Sequence, residues 1–334
     1  MTALVDSLKH AEGLKTLTHK EKAKALFAVH LPCDGSKLHR VYLRLALRHH
    51  PDKKPEVERN EATMLFQAIS AVYEELMHPY GRLIKRIKTS AAIAAELGDV
   101  AELKRLLEEL PSRANEEDNV GAFPLMSAAR AGCIEAAEML LQYDANLHAR
   151  TPFGWSALHY AGLSDHGDMV RWLVGMGAKV TSHELTLVAY GGYAKSLEAL
   201  MDLFSGNVSE VRSSDAGKTL LHLVCVGMLN FANKGPQRYL RCADMLLQRS
   251  VPVDAIDCKK GRTPLQTYVG NPKWLEREFE CSPAHLALVQ MLCTAGASAT
   301  VKDHSGSSAI SLAKSQGLMT VCSIMRSFPP TSAL

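Results

Sequence analysis

One short pattern recurs five times in the second half of the chain, and this repetition constrains the fold more than any other feature. Each copy starts with a Gly and continues through a short turn into small and apolar residues. The copies begin at Gly121, Gly154, Gly217, Gly261 and Gly306. The first two copies are 33 residues apart, and the next gap of 63 fits two units of which one is shortened. Such a period indicates a stack of similar units and disfavours a single globular enzyme domain.

A second apolar run follows the copies, and a turn that contains Gly then closes the unit. The turns, such as 175–178 and 295–298, place Gly where the backbone needs a positive φ. Each unit is therefore predicted to be helix, helix, turn. The clearest second runs cover residues 136–141, 169–174, 242–247 and 288–293.

The period and the starts close to Thr-Pro-Leu-His resemble the ankyrin repeat. The resemblance covers residues 89–328 in about seven units, and the unit at 185–201 is degenerate. It implies an α-solenoid with a concave surface that binds proteins, and it implies no active site. His159 and His222 occupy the His position of the pattern. We expect them to hydrogen-bond neighbouring turns rather than to bind a metal or catalyse a reaction.

Two neighbouring units are longer than the period. The gaps from Gly217 to Gly261 and from Gly261 to Gly306 are 44 and 45 residues, and the extra residues lie around 227–237 and 270–283. Insertions in repeat proteins form loops on one face, which is often the binding face. We hypothesise that the two insertions form one partner site, with a tolerated loop without a role as the alternative. The aromatic and basic residues of this site are Phe231, Lys234, Arg238, Lys273, Trp274, Arg277 and Phe279.

The first 88 residues follow a different pattern. A capping box at Thr18 and Glu21 predicts a short helix that stops before Pro32. A second helix has apolar residues on one side, namely Leu38, Val41, Tyr42, Leu45 and Ala46. Its opposite side, called the basic face below, carries Lys37, Arg40, Arg44 and Arg48. A third, long helix is predicted over residues 60–76 from apolar residues at helical spacing.

The tripeptide His50-Pro51-Asp52 follows the basic helix. A residue before Pro is pushed out of helical geometry, so we expect the helix to end here and His50 and Asp52 to lie in a solvent-facing turn. The order of short helix, basic helix, tripeptide and long helix resembles the J-domain family of co-chaperones over residues 18–88. The resemblance implies an antiparallel helical hairpin. It also implies that the tripeptide and the basic face dock on the seventy-kilodalton heat-shock chaperone and stimulate its ATP hydrolysis.

Other functions of His50 are disfavoured. The adjacent His49 and His50 point in different directions, and no cluster of Cys, Asp or Glu completes a tetrahedral zinc site. His50 and Asp52 also lack a nucleophile partner. We therefore expect no catalytic residue, no metal and no cofactor. Nucleic acid is a disfavoured partner, because stacking aromatic residues are few and no groove-reading motif is present.

Charge divides unevenly along the chain. Residues 1–88 hold 16 Lys and Arg against 10 Asp and Glu, whereas residues 89–334 hold 22 against 25. A basic first module fits docking on an acidic chaperone surface. The sequence has no run of about eighteen apolar residues and no signal-peptide start, and its eight cysteines lack CxxC pairs. We expect reduced core thiols, no membrane partner and a cytoplasmic location, with the nucleus as an alternative.

The sequence as a whole predicts an all-α chain with an extension at 1–17, a J-like domain at 18–88, ankyrin repeats at 89–328 and a tail at 329–334. The predicted function is that of a co-chaperone whose repeats bind an unidentified client or scaffold protein. The alternative is an ankyrin adaptor whose J-like module no longer stimulates ATP hydrolysis. No enzymatic activity is expected, because no phosphate-binding Gly-rich loop or Cys/His pair is present.

Overall fold

The computed structural model describes residues 35–56, 59, 62–63, 66–67, 69–70, 73, 89–118, 120–231, 235–275 and 282–328. Only the backbone is described for residues 35–40 and 275. The described part of the chain is helical and contains no β-strand, which confirms the all-α class. Four predicted segments lie outside the described residues: the extension at 1–17, the helix at 18–32, the end of the J-like domain at 74–88 and the tail at 329–334.

The chain divides into two compact units, residues 1–160 and 161–334. The helices of the first unit are α1 (Gly35–Arg48), α2 (Ser90–Leu97), α3 (Val100–Glu109), α4 (Pro124–Ala131) and α5 (Ile134–Gln142). Helix α6 (Ala157–Leu163) includes the boundary. The helices of the second unit are α7 (Gly167–Gly175), α8 (Ser182–Gly191), α9 (Ala194–Leu203), α10 (Leu220–Asn230), α11 (Gln237–Gln248), α12 (Pro264–Val269), α13 (Pro283–Thr294), α14 (Ala309–Ser315) and α15 (Met319–Ser327). The first unit thus contains both the J-like segment and the first repeats, because α1 packs on α2.

Helix α1 and the partly described helix after it, with helical residues between 59 and 73, run antiparallel. Tyr42 stacks on Tyr73 with ring centroids 4.0 Å apart, while His50, further along α1, meets Phe66 edge-to-face at 4.9 Å. Contacts that move backward along one helix as they move forward along the other define a hairpin. The sequence placed Leu45 in its core, but Leu45 is half-buried. The buried residues of α1 are Tyr42, Leu43, Ala46 and Leu47.

Seven helix pairs follow in the described part of the chain, from α2 and α3 to α14 and α15. Within the second unit, first helices pack on first helices, as α8 on α10 and α10 on α12, and second helices on second helices, as α9 on α11. Helix α10, for example, packs on α11 of its own pair and on α8 and α12 of the neighbouring pairs. This is the nearest-neighbour packing of a solenoid.

The five Gly residues that define the repeats share one backbone conformation, with φ between 62° and 81°. At Gly261 a Cβ atom would also lie 2.4 Å from the His304 ring. The pattern therefore starts with Gly because the turn needs a left-handed residue that leaves room for the next turn.

A Thr or Ser caps the first helix of five pairs: Thr89, Thr181, Thr219, Thr263 and Ser308. Thr219 and Thr263 accept hydrogen bonds from the backbone N–H of His222 and Gln266, three residues later, and those side chains bond back to the capping residue. This reciprocal capping box satisfies N–H groups that a helix end leaves free. Every helix in the described part of the chain is too short or too polar to cross a membrane.

Six cysteines lie within the described residues, and none is in a disulfide. Burial raises the pKa of the Cys242 thiol to about 12, so this group stays a protonated thiol that packs in the core. Cys258 differs from the expected pattern because it is exposed, in the turn that starts the sixth repeat.

Candidate functional site

The backbone geometry at the end of α1 positions the tripeptide His50-Pro51-Asp52. Helix α1 ends at Arg48, and His50 has extended backbone with φ −65° and ψ 133°, as expected for a residue before Pro. Pro51 then opens a single 310 turn, in which the N–H of Lys53 donates to the carbonyl of His50 at 3.1 Å. Pro fits this first position because its missing N–H would have had no partner there.

The His50 side chain points inward. Its Nδ1 donates to Oδ1 of Asp52 at 2.5 Å, and the imidazole ring packs against Phe66. Only 11% of the side chain is exposed. The tripeptide is thus held as one unit, with the histidine ring wedged between the aspartate and the second helix of the hairpin.

Asp52 is bound from the side of the first repeat. Its second carboxylate oxygen accepts a hydrogen bond from the hydroxyl of Ser90, the first residue of α2. Its backbone carbonyl accepts one from the guanidinium of Arg113, which is buried after α3, at 3.2 Å. Burial raises the pKa of Asp52, but the hydrogen bonds from His50 and Ser90 outweigh this effect, and the pKa of the carboxyl is lowered.

Lys53 makes the ionic contact with the first repeat. Its Nζ pairs with the carboxylate of Glu102 in α3, and the two side chains are 17% and 19% exposed. Hydrogen bonds from Arg105 lower the pKa of Glu102 first, and Lys53 lowers it further against the effect of burial. Glu102 is therefore a fixed negative charge that faces the turn.

The prediction that His50 faces solvent is wrong, whereas the turn residues after it, Pro51–Lys53, are half-buried. His50 is buried, and both carboxylate oxygens of Asp52 already have hydrogen-bond partners in this chain. The expectation rested on the local effect of Pro51, which describes where the helix ends but not what packs on the turn. Ser90, Glu102 and Arg113 were missed because each is an ordinary polar residue of a repeat and has no motif of its own.

The basic face of α1 is described in part. Arg44 and Arg48 are exposed and lie on the side of the helix away from Tyr42 and Leu43. The side chains of Lys37 and Arg40 lie outside the described residues. The exposed end of the basic face is adjacent to the tripeptide, as docking on another protein requires.

The expected hydrogen bond to a neighbouring turn is present at His222, whereas the contact of His159 described below is with its own turn. The N–H of Thr219 donates to Nδ1 of His222 at 3.2 Å, and Nε2 of His222 donates to the carbonyl of Arg262, in the next turn, at 2.8 Å. His159 pairs with Ser156 through Nδ1 at 2.9 Å. Within the described residues, no group of three or more His, Cys, Asp or Glu side chains is placed to hold a metal ion.

The insertion residues pack mostly against their own chain. Trp274 is 1% exposed, donates its indole N–H to the carbonyl of Tyr268 at 2.8 Å, and meets the Tyr268 ring edge-to-face. The prediction that Trp274 forms an exposed anchor for a partner is therefore wrong, since a large apolar ring in an insertion gains more by covering the core than by facing water. The second insertion instead packs over the end of α12 through Trp274.

The other predicted partner-site residues divide into two groups. Phe231 is half-buried against Tyr190 at 5.5 Å, and the Arg238 guanidinium lies over the Tyr193 ring at 5.4 Å. Lys273 donates to the carbonyl of Leu229 at 3.5 Å, which joins the second insertion to the end of α10. The remaining residues lie outside the described part of the chain and stay predictions: Lys234, Arg277 and Phe279.

A cavity of about 300 Å³ opens in the second unit between the turns of the fifth and sixth repeats. Lysines and carboxylates line it together, including Lys218, Lys259, Asp215 and Asp257. Asp257 accepts hydrogen bonds from the backbone N–H groups of Lys259 and Lys260, so the Asp257 carboxylate stabilises the turn to which it belongs. The mixed lining favours no single ligand.

Two family models match the chain, that of the DnaJ domain over residues 25–84 and that of ankyrin repeats, in three copies, over residues 91–184. This chain is a J domain fused to ankyrin repeats. The fusion confirms the two resemblances found in the sequence. The chain thus joins the domain of DnaJ-like co-chaperones to a repeat module of the kind that binds proteins.

Similar proteins match one module at a time. DnaJ protein homolog xdj1 of Schizosaccharomyces pombe is 37% identical over 57 residues, 17% of this chain and 14% of that protein. B-cell lymphoma 3 protein homolog of Mus musculus is 34% identical over 170 residues, 48% of this chain and 33% of that protein. The matches thus span a third or less of these relatives' own length. The solved human ASB11 ankyrin repeat domain aligns with a TM-score of 0.54 at 20% identity, over 70% of this chain and 98% of that one, which shows the shared fold.

Proposed function

We propose that the chain is a co-chaperone whose J domain docks on a seventy-kilodalton heat-shock chaperone and stimulates its ATP hydrolysis. One observation carries this proposal: His50, Pro51 and Asp52 are intact at the end of α1, directly beside the exposed Arg44 and Arg48. In this role the chain binds and activates another protein's ATPase and catalyses no reaction itself.

We propose that the ankyrin repeats hold a client or scaffold protein. Two binding modules in one chain raise the effective concentration of one partner at the other, without any new contact between the partners. The repeats carry no motif that names the bound protein, and a fold by itself does not specify a partner.

Single-turnover ATP hydrolysis by the chaperone, with the full chain added in excess, tests the first proposal. We expect His50→Gln to abolish the stimulation, since the amide cannot reproduce the imidazole of the tripeptide. His148→Gln is the matched control, because His148 is an exposed histidine of the repeats. Equal stimulation by the wild type and His50→Gln would contradict the proposal.

The basic face gives a second, independent test. We expect Arg44→Ala together with Arg48→Ala to lower the association rate with the chaperone by about tenfold at low salt, because charges that steer an encounter act mainly on that rate. Arg326→Ala, at an exposed arginine of α15, is the control. Stopped-flow fluorescence with a labelled chaperone measures the rate, and no change in the double variant would exclude steering by this face.

The second candidate function is an adaptor whose J domain only binds. The contacts of Asp52 and Lys53 with the first repeat favour it, since they occupy the groups that docking needs. The adaptor predicts no stimulation by any form of the chain, including one in which these contacts are broken.

A further inference from the structure

We propose that the first ankyrin repeat is an autoinhibitory cover over the docking turn of the J domain, so that the chain exchanges between a closed and an open state. The inference rests on the proposed function, because a cover regulates only a J domain that acts on a chaperone. Three residues of the repeat form the cover: Ser90, Glu102 and Arg113.

The contacts of the cover fall on the tripeptide and the residue after it. Ser90 binds the Asp52 carboxylate, Arg113 binds the Asp52 carbonyl, and Glu102 pairs with Lys53. An ionised carboxylate has about four acceptor positions, and the hydrogen bonds from His50 and Ser90 fill two of those of Asp52. With Arg113 on the Asp52 carbonyl and Glu102 on Lys53, the closed turn has fewer groups left for another protein.

The charges on both sides of the contact are complementary. The positive Lys53 faces the negative Glu102, and the negative Asp52 lies near the positive Arg113. Glu116, a further acidic group of this repeat, opposes the fit: burial raises its pKa, and the nearby Asp52 raises it further. The closed state thus contains favourable pairs together with one acidic group whose charge is disfavoured there.

The cover differs in kind from the core contacts of the same turn. His50 packs on Phe66 inside the J domain, and this contact does not involve the repeat. The repeat adds polar and ionic contacts whose side chains keep some exposure, 24% for Asp52 and 17% for Lys53. Partly exposed ion pairs are weak and sensitive to salt, so these contacts at the turn can open while α1 stays packed on α2 and the J domain stays folded.

The opening variant is Glu102→Lys, which replaces the Lys53 pair by repulsion and leaves every residue of the tripeptide unchanged. Glu108→Lys is the matched control on the same helix, since Glu108 is 57% exposed and pairs with Lys104 of α3. It makes the same charge change away from the turn. Circular dichroism on both variants reports whether α3 remains folded.

Carbethoxylation of His50 by diethyl pyrocarbonate, followed by peptide mass spectrometry on the full chain, measures opening without any partner. The probe reports on the cover because Asp52, which holds Nδ1 of the imidazole, is itself held by Ser90 and Arg113 of the repeat. We expect Glu102→Lys to raise the rate at His50 at least about fivefold, the lower range of typical coupling between two sites. Glu108→Lys leaves the rate unchanged, and the exposed His148 serves as the internal reference. The double variant Lys53→Glu with Glu102→Lys restores an ion pair of reversed sign and returns the rate toward that of the wild type.

Single-turnover ATP hydrolysis then links opening to activity. We expect Glu102→Lys to stimulate the chaperone more strongly than the wild type does, and His50→Gln added to it to remove the gain. An unchanged His50 rate in Glu102→Lys overturns the cover and leaves the proposed function standing. Equal stimulation by the wild type and an opened Glu102→Lys also overturns the cover. If the His50 rate shows an open turn and no variant stimulates ATP hydrolysis by the chaperone, the proposed function is overturned. The regulatory role is then overturned with it.

Discussion

At the scale of single residues, one residue type takes opposite roles in the two modules. His50 lies at the end of a helix, bonded to Asp52 next to the proposed docking surface, whereas His222 lies inside the repeats and joins two turns. The difference comes from what surrounds each ring. His222 is fully buried and has a backbone partner on each nitrogen, so it contributes to stability and to no exposed surface.

His222 gives a prediction about pH. Burial lowers its pKa from 6.5 to about 4, although the Arg262 carbonyl opposes part of this effect. Because the folded-state pKa is below the unfolded value, the unfolded chain binds more protons as the pH falls from 6.5 toward 4. The stability is therefore unaffected above pH 6.5 and decreases below it, by about 2 kcal/mol at pH 5 for this group. Urea unfolding at pH 7.5 and pH 5 measures the loss.

The chain supplies a matched control for that prediction. Gln266 occupies the position of His222 in the next repeat, where it accepts from the Thr263 N–H at 2.8 Å and donates to the Val301 carbonyl at 2.7 Å. His222→Gln is therefore expected to keep the capping box and to remove its share of the pH dependence. The same drop in stability at pH 5 in His222→Gln would show that other groups cause it.

At the scale of helices and turns, local rules predicted the repeats well and the packing of the insertions poorly. The positive φ at Gly261 and the capping by Thr263 are properties of a few adjacent residues, so the sequence marks where each unit starts. The burial of Trp274 depends on Tyr268 and His285, which come together only in the folded stack. The contact of Ser90 with Asp52 likewise joins residues 38 positions apart, and no local pattern predicts it.

The second insertion yields a prediction about stability. Trp274→Ala removes a buried ring that packs on Tyr268 and His285, so we expect the second unit to lose about 3–5 kcal/mol of unfolding free energy. Phe153→Ala is the control, because that ring is 76% exposed and should change the stability by less than about 0.5 kcal/mol. Chemical denaturation followed by circular dichroism distinguishes the two variants. If Trp274→Ala is as stable as the wild type, Trp274 does not stabilise the core and a role at the surface is favoured again.

At the scale of the whole molecule, the two modules carry net charge of opposite sign, and this affects two competing contacts. The first 88 residues are basic and the remainder is slightly acidic. The basic module is therefore suited to an acidic chaperone surface, and its Lys53 is already paired with Glu102 of the first repeat. In the proposed function, the chaperone and the repeat compete for the same turn. By linkage, whatever weakens one contact favours the other.

The contacts of the cover and those of the rest of the fold differ in their sensitivity to salt. The screening length is about 10 Å at 0.1 M salt and about 3 Å at 1 M, so raising the salt weakens the partly exposed Lys53 and Glu102 pair more than the buried contacts around Phe66. We expect carbethoxylation of His50 in the wild type to rise a few-fold between about 0.05 and 0.5 M sodium chloride. In Glu102→Lys the same salt screens a repulsion, so the rate should stay level or fall. Parallel salt responses in the two proteins would mean that this ion pair does not hold the turn closed.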